Sequence, residues 1–145
     1  MTESDAIAMV EDDEGHARLI EKHLRRAGLR NKIFPLRDGA TAMDFLFGPK
    51  GSGLVNEGRP LLILLDLNLP DMSGVDILKR LKESDHLRTI PVVVLTTTDD
   101  ATEIQRCYEV GCNFYVTKPV DYERFTKTIQ QLGMFVSVMQ IPQVA

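Results

Sequence analysis

The sequence predicts an α/β fold: a doubly wound, five-stranded parallel sheet in the order 2-1-3-4-5, with helices on both faces. Three observations carry that expectation. Short apolar segments alternate with amphipathic ones five times along 145 residues, and such alternation makes a parallel sheet covered by helices. The central segment, residues 61–65, is uniformly apolar, as a strand buried on both faces must be. Right-handed crossovers leave few orders open for five strands, and 2-1-3-4-5 is the common one.

The elements follow in turn. The first strand is the apolar run 6–10, ended by acids. A helix comes next, with Ala17, Ile20, Leu24 and Ala27 on one face at i, i+3, i+7 and i+10. Gly28 stands where a helix C′ residue belongs. A short second strand lies around Ile33 and Phe34, and Asp38-Gly39 turns into a helix carrying Ala42, Met43, Phe45 and Leu46. Residues 48–60 hold Gly48, Gly51, Gly53 and Gly58, with Pro49 and Pro60 at the ends. This reads as one long glycine-rich loop and not a domain linker, because the piece before it is too small to stand alone.

After the third strand, a helix over 75–81 turns Val75, Leu78 and Leu81 inward. Residues 90–95 are β-branched and strand-like, with Pro91 tolerable near the start. A helix over 102–110 stops at Gly111, and 114–117 form a fifth strand. A last helix begins near Asp121, a suitable N-cap, and keeps Phe125, Ile129 and Leu132 on one face.

Residues 1–145 thus read as a single domain of ordinary globular composition, 43% hydrophobic and 26% charged. A net charge of −4 and a pI near 5.4 argue against a nucleic-acid partner, because phosphate attraction needs local basicity. The acidic N-terminus lacks a signal peptide's basic and apolar regions. The longest apolar runs fall far short of the roughly 20 residues that a membrane helix needs, so no membrane association and a cytoplasmic location are expected. Cys107 and Cys112 read as reduced thiols. His16, His23 and His86 lack the tight spacing of a zinc site and read as surface or half-buried residues. The run Gly48-Pro49-Lys50-Gly51-Ser52-Gly53 is not a phosphate-cradling loop, since Leu54-Val55 stand where a lysine and a hydroxyl are needed.

The chemistry gathers where strands end. Ligands of open α/β sheets bind beyond the carboxyl ends of the strands. Glu11, Asp12 and Asp13 follow the first strand, Asp66 the third, Thr96 the fourth and Lys118 the fifth. Each has an ordinary reading: acids after a strand cap helices, and a lone lysine is a solvated charge. Their coincidence on one rim is less ordinary. Crowded carboxylates repel and need neutralising. A hard divalent cation such as Mg²⁺, held by a few carboxylate oxygens and several waters, does this. A metal, a lysine and a hydroxyl together suit a phosphoryl group, whose transfer is mostly positioning and charge stabilisation. Asp66 is then the natural nucleophile.

Glu11-Asp12, Asp66 with Leu69-Pro70-Asp71-Met72-Ser73-Gly74 after it, Thr96, and Tyr115-Val116-Thr117-Lys118-Pro119 resemble the receiver domain of two-component response regulators. The resemblance spans about residues 5 to 132. It implies that Asp66 accepts phosphate from a histidine kinase, and that Glu11, Asp12 and Asp66 hold Mg²⁺ with the backbone carbonyl of Asn68. It further implies that Thr96 and Lys118 contact phosphoryl oxygens. Thr96 would move towards the phosphoryl group and Tyr115, the switch aromatic, would swing inward. Such a protein promotes its own phosphotransfer and dephosphorylation and is otherwise no enzyme. The 48–60 insertion, residues 62–70, residues 87–97 and Val120-Asp121-Tyr122 are similar to the phytochrome-associated single-domain regulators, which implies a phytochrome-type kinase as phosphate source.

Few residues follow Leu132, so output through protein contact is expected. The extension 133–145 opens with the apolar stretch 134–139, and exposed apolar patches mark interaction sites. A homodimer built from the last helix region is the resulting expectation, with folding of the tail over its own domain as the alternative. Two other functions fit parts of the pattern. A phosphatase of the haloacid-dehalogenase type also uses an Asp after a buried strand, but wants a second Asp where Asn68 stands. A cofactor carrier of the flavodoxin-like order wants a phosphate-binding loop where residues 11–14 are all acidic.

Overall fold

The computed structural model describes residues 6–26, 28–48, 60–97, 100–118, 123, 124 and 127. Its strands are β1 (Ala6–Val10), β2 (Ile33–Leu36), β3 (Pro60–Asp66), β4 (Val92–Thr96) and β5 (Phe114–Thr117). The helices between them are α1 (Glu14–Arg26), α2 (Gly39–Phe47), α3 (Gly74–Glu83) and α4 (Ala101–Val110). All four strand pairings are parallel, and the order is β2-β1-β3-β4-β5. The predicted topology is therefore the observed one. Of the fifth helix expected from Asp121, residues 123, 124 and 127 are described; they are helical and exposed. Its apolar face, residues 49–59 of the glycine-rich loop and the 133–145 extension lie outside the described residues.

Strand alternation divides the core in two. Ala8, Val10, Ile63, Leu65, Val92 and Val94 face α2, α3 and α4, meeting Phe45, Leu46, Ile77, Leu78, Leu81 and Cys107. Ile7, Met9, Leu62, Leu64, Val93 and Leu95 face the other way, onto Ala17, Ile20 and Leu24 of α1. A sheet covered on both sides needs apolar residues at every position, which is why β1 and β4 are buried throughout. β2 is an edge strand, so it carries Pro35 without losing a ladder bond, and Ile33 and Phe34 are half-buried.

Helix ends are set by short polar devices. α1 closes on Gly28 with φ +97°, the Gly28 N–H on the Arg25 carbonyl and the Leu29 N–H on the Leu24 carbonyl. That double bond pattern needs the left-handed conformation a glycine adopts freely. Asp38, Ser73 and Asp100 cap α2, α3 and α4 through side-chain oxygens. Gly74 opens α3 against the end of β3: a Cβ there would lie 2.4 Å from the Asp66 carbonyl oxygen and 2.6 Å from Leu67 Cα. Only a glycine lets the helix start so close to the strand that delivers Asp66.

Three details differ from expectation. β3 begins at Pro60, one residue into the expected loop, and β4 begins at Val92, after Pro91 and not before it. Pro91 still serves the sheet through its carbonyl, which accepts from Ile63 N–H at 3.0 Å. His23 is buried, not at the surface. It lies three residues beyond Ile20 and so shares α1's inward stripe, and burial holds its imidazole below the ordinary pKa. Cys107 and Cys112 are free and buried, with burial pushing the Cys112 thiol up to about 12.

Candidate functional site

The carboxyl ends of β1, β3 and β4 and the residue after β5 converge on one pocket. Parallel register produces this: Val10 pairs with Leu65, Asp66 with Leu95 and Thr96 with Thr117. The polar residues at or just beyond these positions must therefore share a rim. Glu11 (2% exposed), Asp66 (3%), Thr96 (0%) and Lys118 (7%) are all buried there, whereas Asp12 is exposed at the mouth.

Lys118 sits at the centre. Its ammonium donates to Glu11 Oε1 and to Asp66 Oδ2, the latter at 3.1 Å. Its backbone N–H donates to the Thr96 carbonyl at 2.7 Å, which ties the segment after β5 to the end of β4. Glu11 is held from both sides, because its Oε2 accepts from the Asp13 N–H at 3.0 Å. Burial pushes the Glu11 carboxyl above its ordinary range, with the Lys118 contact opposing. One oxygen from each of Glu11, Asp12 and Asp66 lies within 4.8 Å of the others.

That donor set fits a small hard cation. Three carboxylates against one ammonium leave two negative charges when all are ionised. One divalent ion would cancel them, and oxygen-only ligation is what Mg²⁺ prefers.

The acids after β1 divide their work in a way the sequence did not reveal. Helix capping falls to Asp13, whose Oδ1 accepts from His16 N–H at 2.9 Å. Glu11 and Asp12 are thereby left to the pocket. That backbone hydrogen bond holds the Asp13 carboxyl below its usual range.

Asn68, expected from the resemblance to offer its backbone carbonyl, reaches the pocket through its N–H groups. Its backbone N–H donates to Asp66 Oδ1 at 3.0 Å. Its side-chain amide donates to Thr96 Oγ1 at 3.0 Å and Thr97 Oγ1 at 3.2 Å. The hydroxyl of Thr96 is thus tied to the loop that follows Asp66. Tyr115 is half-buried on β5 and packs against the α2–α3 side of the core, opposite Val94 and two residues before the Thr96–Thr117 pair.

Asp71 braces the same loop from outside. Its two oxygens accept from Gly39 N–H at 2.7 Å and Ala40 N–H at 2.8 Å. These bonds to the N-terminus of α2 hold its carboxyl below the usual range. Sequence reasoning gave Asp71 no such role, and no local signal could, since its partners lie 32 and 31 residues away.

A family model described as response regulator receiver domain matches residues 7–130. The response regulator Rcp1 of Synechocystis sp. is 37% identical over 129 residues, covering 89% of this chain and 86% of Rcp1. A crystal structure of Rcp1 in its Mn²⁺-bound form superposes with a TM-score of 0.75 at 37% identity, covering 90% of this chain and 93% of that one. The crystal structure of a response regulator receiver domain from Rhodospirillum rubrum gives 0.77 at 61% identity, covering 93% and 95%. The bacteriophytochrome response regulator AtBRR gives 0.74 at 40% identity, covering 89% and 92%.

Proposed function

Since this chain belongs to the response regulator receiver domain family, we propose that it is a phosphoacceptor switch over residues 1–145. Asp66 takes a phosphoryl group from a histidine kinase with Mg²⁺ bound, and Thr96 and Tyr115 relay the change to a protein-binding surface. The observation that carries this reading is the position of Asp66. Its carboxylate lies at the end of a buried strand, in contact with Lys118 and beside Glu11 and Asp12.

In the transfer, an Asp66 oxygen attacks phosphorus, the P–N bond of the phosphohistidine breaks, and the electron pair leaves on the imidazole nitrogen. Glu11, Asp12, Asp66 and the Asn68 carbonyl would hold Mg²⁺, which would supply positive charge against the phosphoryl oxygens. Lys118 pairs with one of those oxygens, and the Thr96 hydroxyl turns from Asn68 towards another. Phosphorylation adds about −1.5 to −2 charges and three strong acceptors, enough to redraw a small hydrogen-bond network.

Movement of Thr96 opens space towards which Tyr115 shifts. The phenol of Tyr108, on the exposed side of α4, lies against the Tyr115 backbone, so that surface changes with the strand. The change is a shift between two existing states of one fold. Beyond its own phosphotransfer and dephosphorylation the protein is read as catalysing nothing.

Kinship with the bacteriophytochrome response regulator AtBRR supports a phytochrome-type kinase as phosphate source. Among the described residues no helix is long and apolar enough to cross a membrane; action in the cytoplasm is part of the proposal. A homodimer through the last helix region and the 133–145 extension completes the proposal; sedimentation equilibrium at micromolar concentration should show it, and monomer alone would remove it. The central test is intact mass after incubation with acetyl phosphate. One phosphoryl group per chain is expected with Mg²⁺, and essentially none when a chelator is present. Steady turnover of small phosphate esters would instead favour a phosphatase.

A further inference from the structure

The sequence alone marks His16 as a surface or half-buried residue. The structure half-buries it in the first turn of α1 and brings its Nδ1 to 3.4 Å from Lys118 Nζ. Among the described residues the ammonium therefore has three polar neighbours: Glu11 Oε1, Asp66 Oδ2 and His16 Nδ1. A lysine ammonium has three N–H donors and no acceptor, so these contacts use all three. Nδ1 must then accept, which places the ring proton on Nε2.

We propose that His16 is a positioning residue for Lys118, holding the ammonium over the Asp66 carboxylate by a neutral third contact. The inference rests on Asp66 being the phosphoacceptor. Its chemistry follows from what changes during transfer. Lys118 must give up Asp66 Oδ2 for a phosphoryl oxygen while remaining in place. Glu11 alone is a pivot about which the ammonium can turn, whereas a second fixed acceptor defines its direction. A carboxylate in that place would add negative charge where the phosphoryl group must enter. An imidazole orients the ammonium without that repulsion.

His16 is itself held, because its backbone N–H is bonded to Asp13 Oδ1 at 2.9 Å. Among the described residues the charged groups near the ring are Lys118 and Asp13, with Glu11, Asp12 and Asp66 around Lys118.

The test compares native protein, His16→Leu and His16→Gln in the full chain. The readouts are the rate of phosphorylation by acetyl phosphate with saturating Mg²⁺ and the ¹⁵N-detected Lys118 ammonium resonance. Loss of one hydrogen bond predicts a roughly three- to tenfold slower rate in His16→Leu, with a displaced or broadened ammonium signal. His16→Gln, whose side-chain oxygen can accept the same proton, should recover most of the rate and the signal. A packing role alone would not be rescued by an acceptor.

If native protein reacts and His16→Leu matches it within about twofold, the inference is overturned while the phosphoacceptor reading stands. It is likewise overturned if His16→Gln reacts no faster than His16→Leu. Should native protein take up no phosphoryl group, the phosphoacceptor reading fails, and this one with it. Should His16→Leu fail to fold, His16→Ala replaces it: the same slower rate and displaced ammonium signal are expected, and a native rate and signal would overturn the inference.

Discussion

Replacing Asp66 by Asn should reduce phosphoryl uptake from one group per chain to none, as read by intact mass after acetyl phosphate and Mg²⁺. A side-chain amide is not a nucleophile towards phosphorus, whereas a carboxylate is. The substitution keeps shape and volume, so the apolar environment of β3 is undisturbed. The amide oxygen can still accept the Asn68 N–H that now reaches Asp66 Oδ1, and Lys118 keeps Glu11. The variant should therefore fold, and its failure to react would be chemical. If it gained a phosphoryl group that mapped to Asp12, Asp13 or any other carboxylate, Asp66 would not be the acceptor.

Lys118→Met should cost about 3–5 kcal/mol of stability at neutral pH, the scale for removing one partner of a buried ion pair. Methionine fills much of the lysine stem's volume, so the loss is one of charge and not of packing. What remains is Glu11 and Asp66, both buried, with no ammonium between them. Urea unfolding checks the expectation through the midpoint at unchanged slope. Added Mg²⁺ should recover part of the loss, because it binds the folded site and stabilises by mass action. The recovery should exceed the native protein's own gain, since the variant's acids have lost their competing cation. A variant as stable as the native protein would show that the two acids do not depend on Lys118. Phosphorylation should slow as well, since a phosphoryl oxygen loses its ammonium partner.

How far these features were legible in the sequence depends on their range. Ala17, Ile20 and Leu24 could be placed on one buried face because helix periodicity is local. Residues 62–65 could be placed in a doubly covered strand for the same kind of reason. Asp66, Thr96 and Lys118 could be placed on one rim because parallel strands deliver their carboxyl ends to the same edge. The burial of His23 was less legible, because it shares the helical phase of that stripe while a histidine's polarity does not mark it as inward-facing. The division between Asp13 as cap and Glu11 and Asp12 as pocket acids was invisible, since three consecutive acids carry the same local signal.

The amino-acid sequence by itself determined the sheet, the alternation of elements and the strand ends that carry polar groups, because hydrophobic period and turn chemistry act over a few residues. Tertiary structure alone decided the partners. Lys118 meets Glu11 across 107 residues, His16 across 102 and Asp66 across 52, and Asp71 reaches α2 across about thirty. Such contacts depend on strand register and on the start of each helix to within an ångström or so, and no repeating pattern along the chain encodes them.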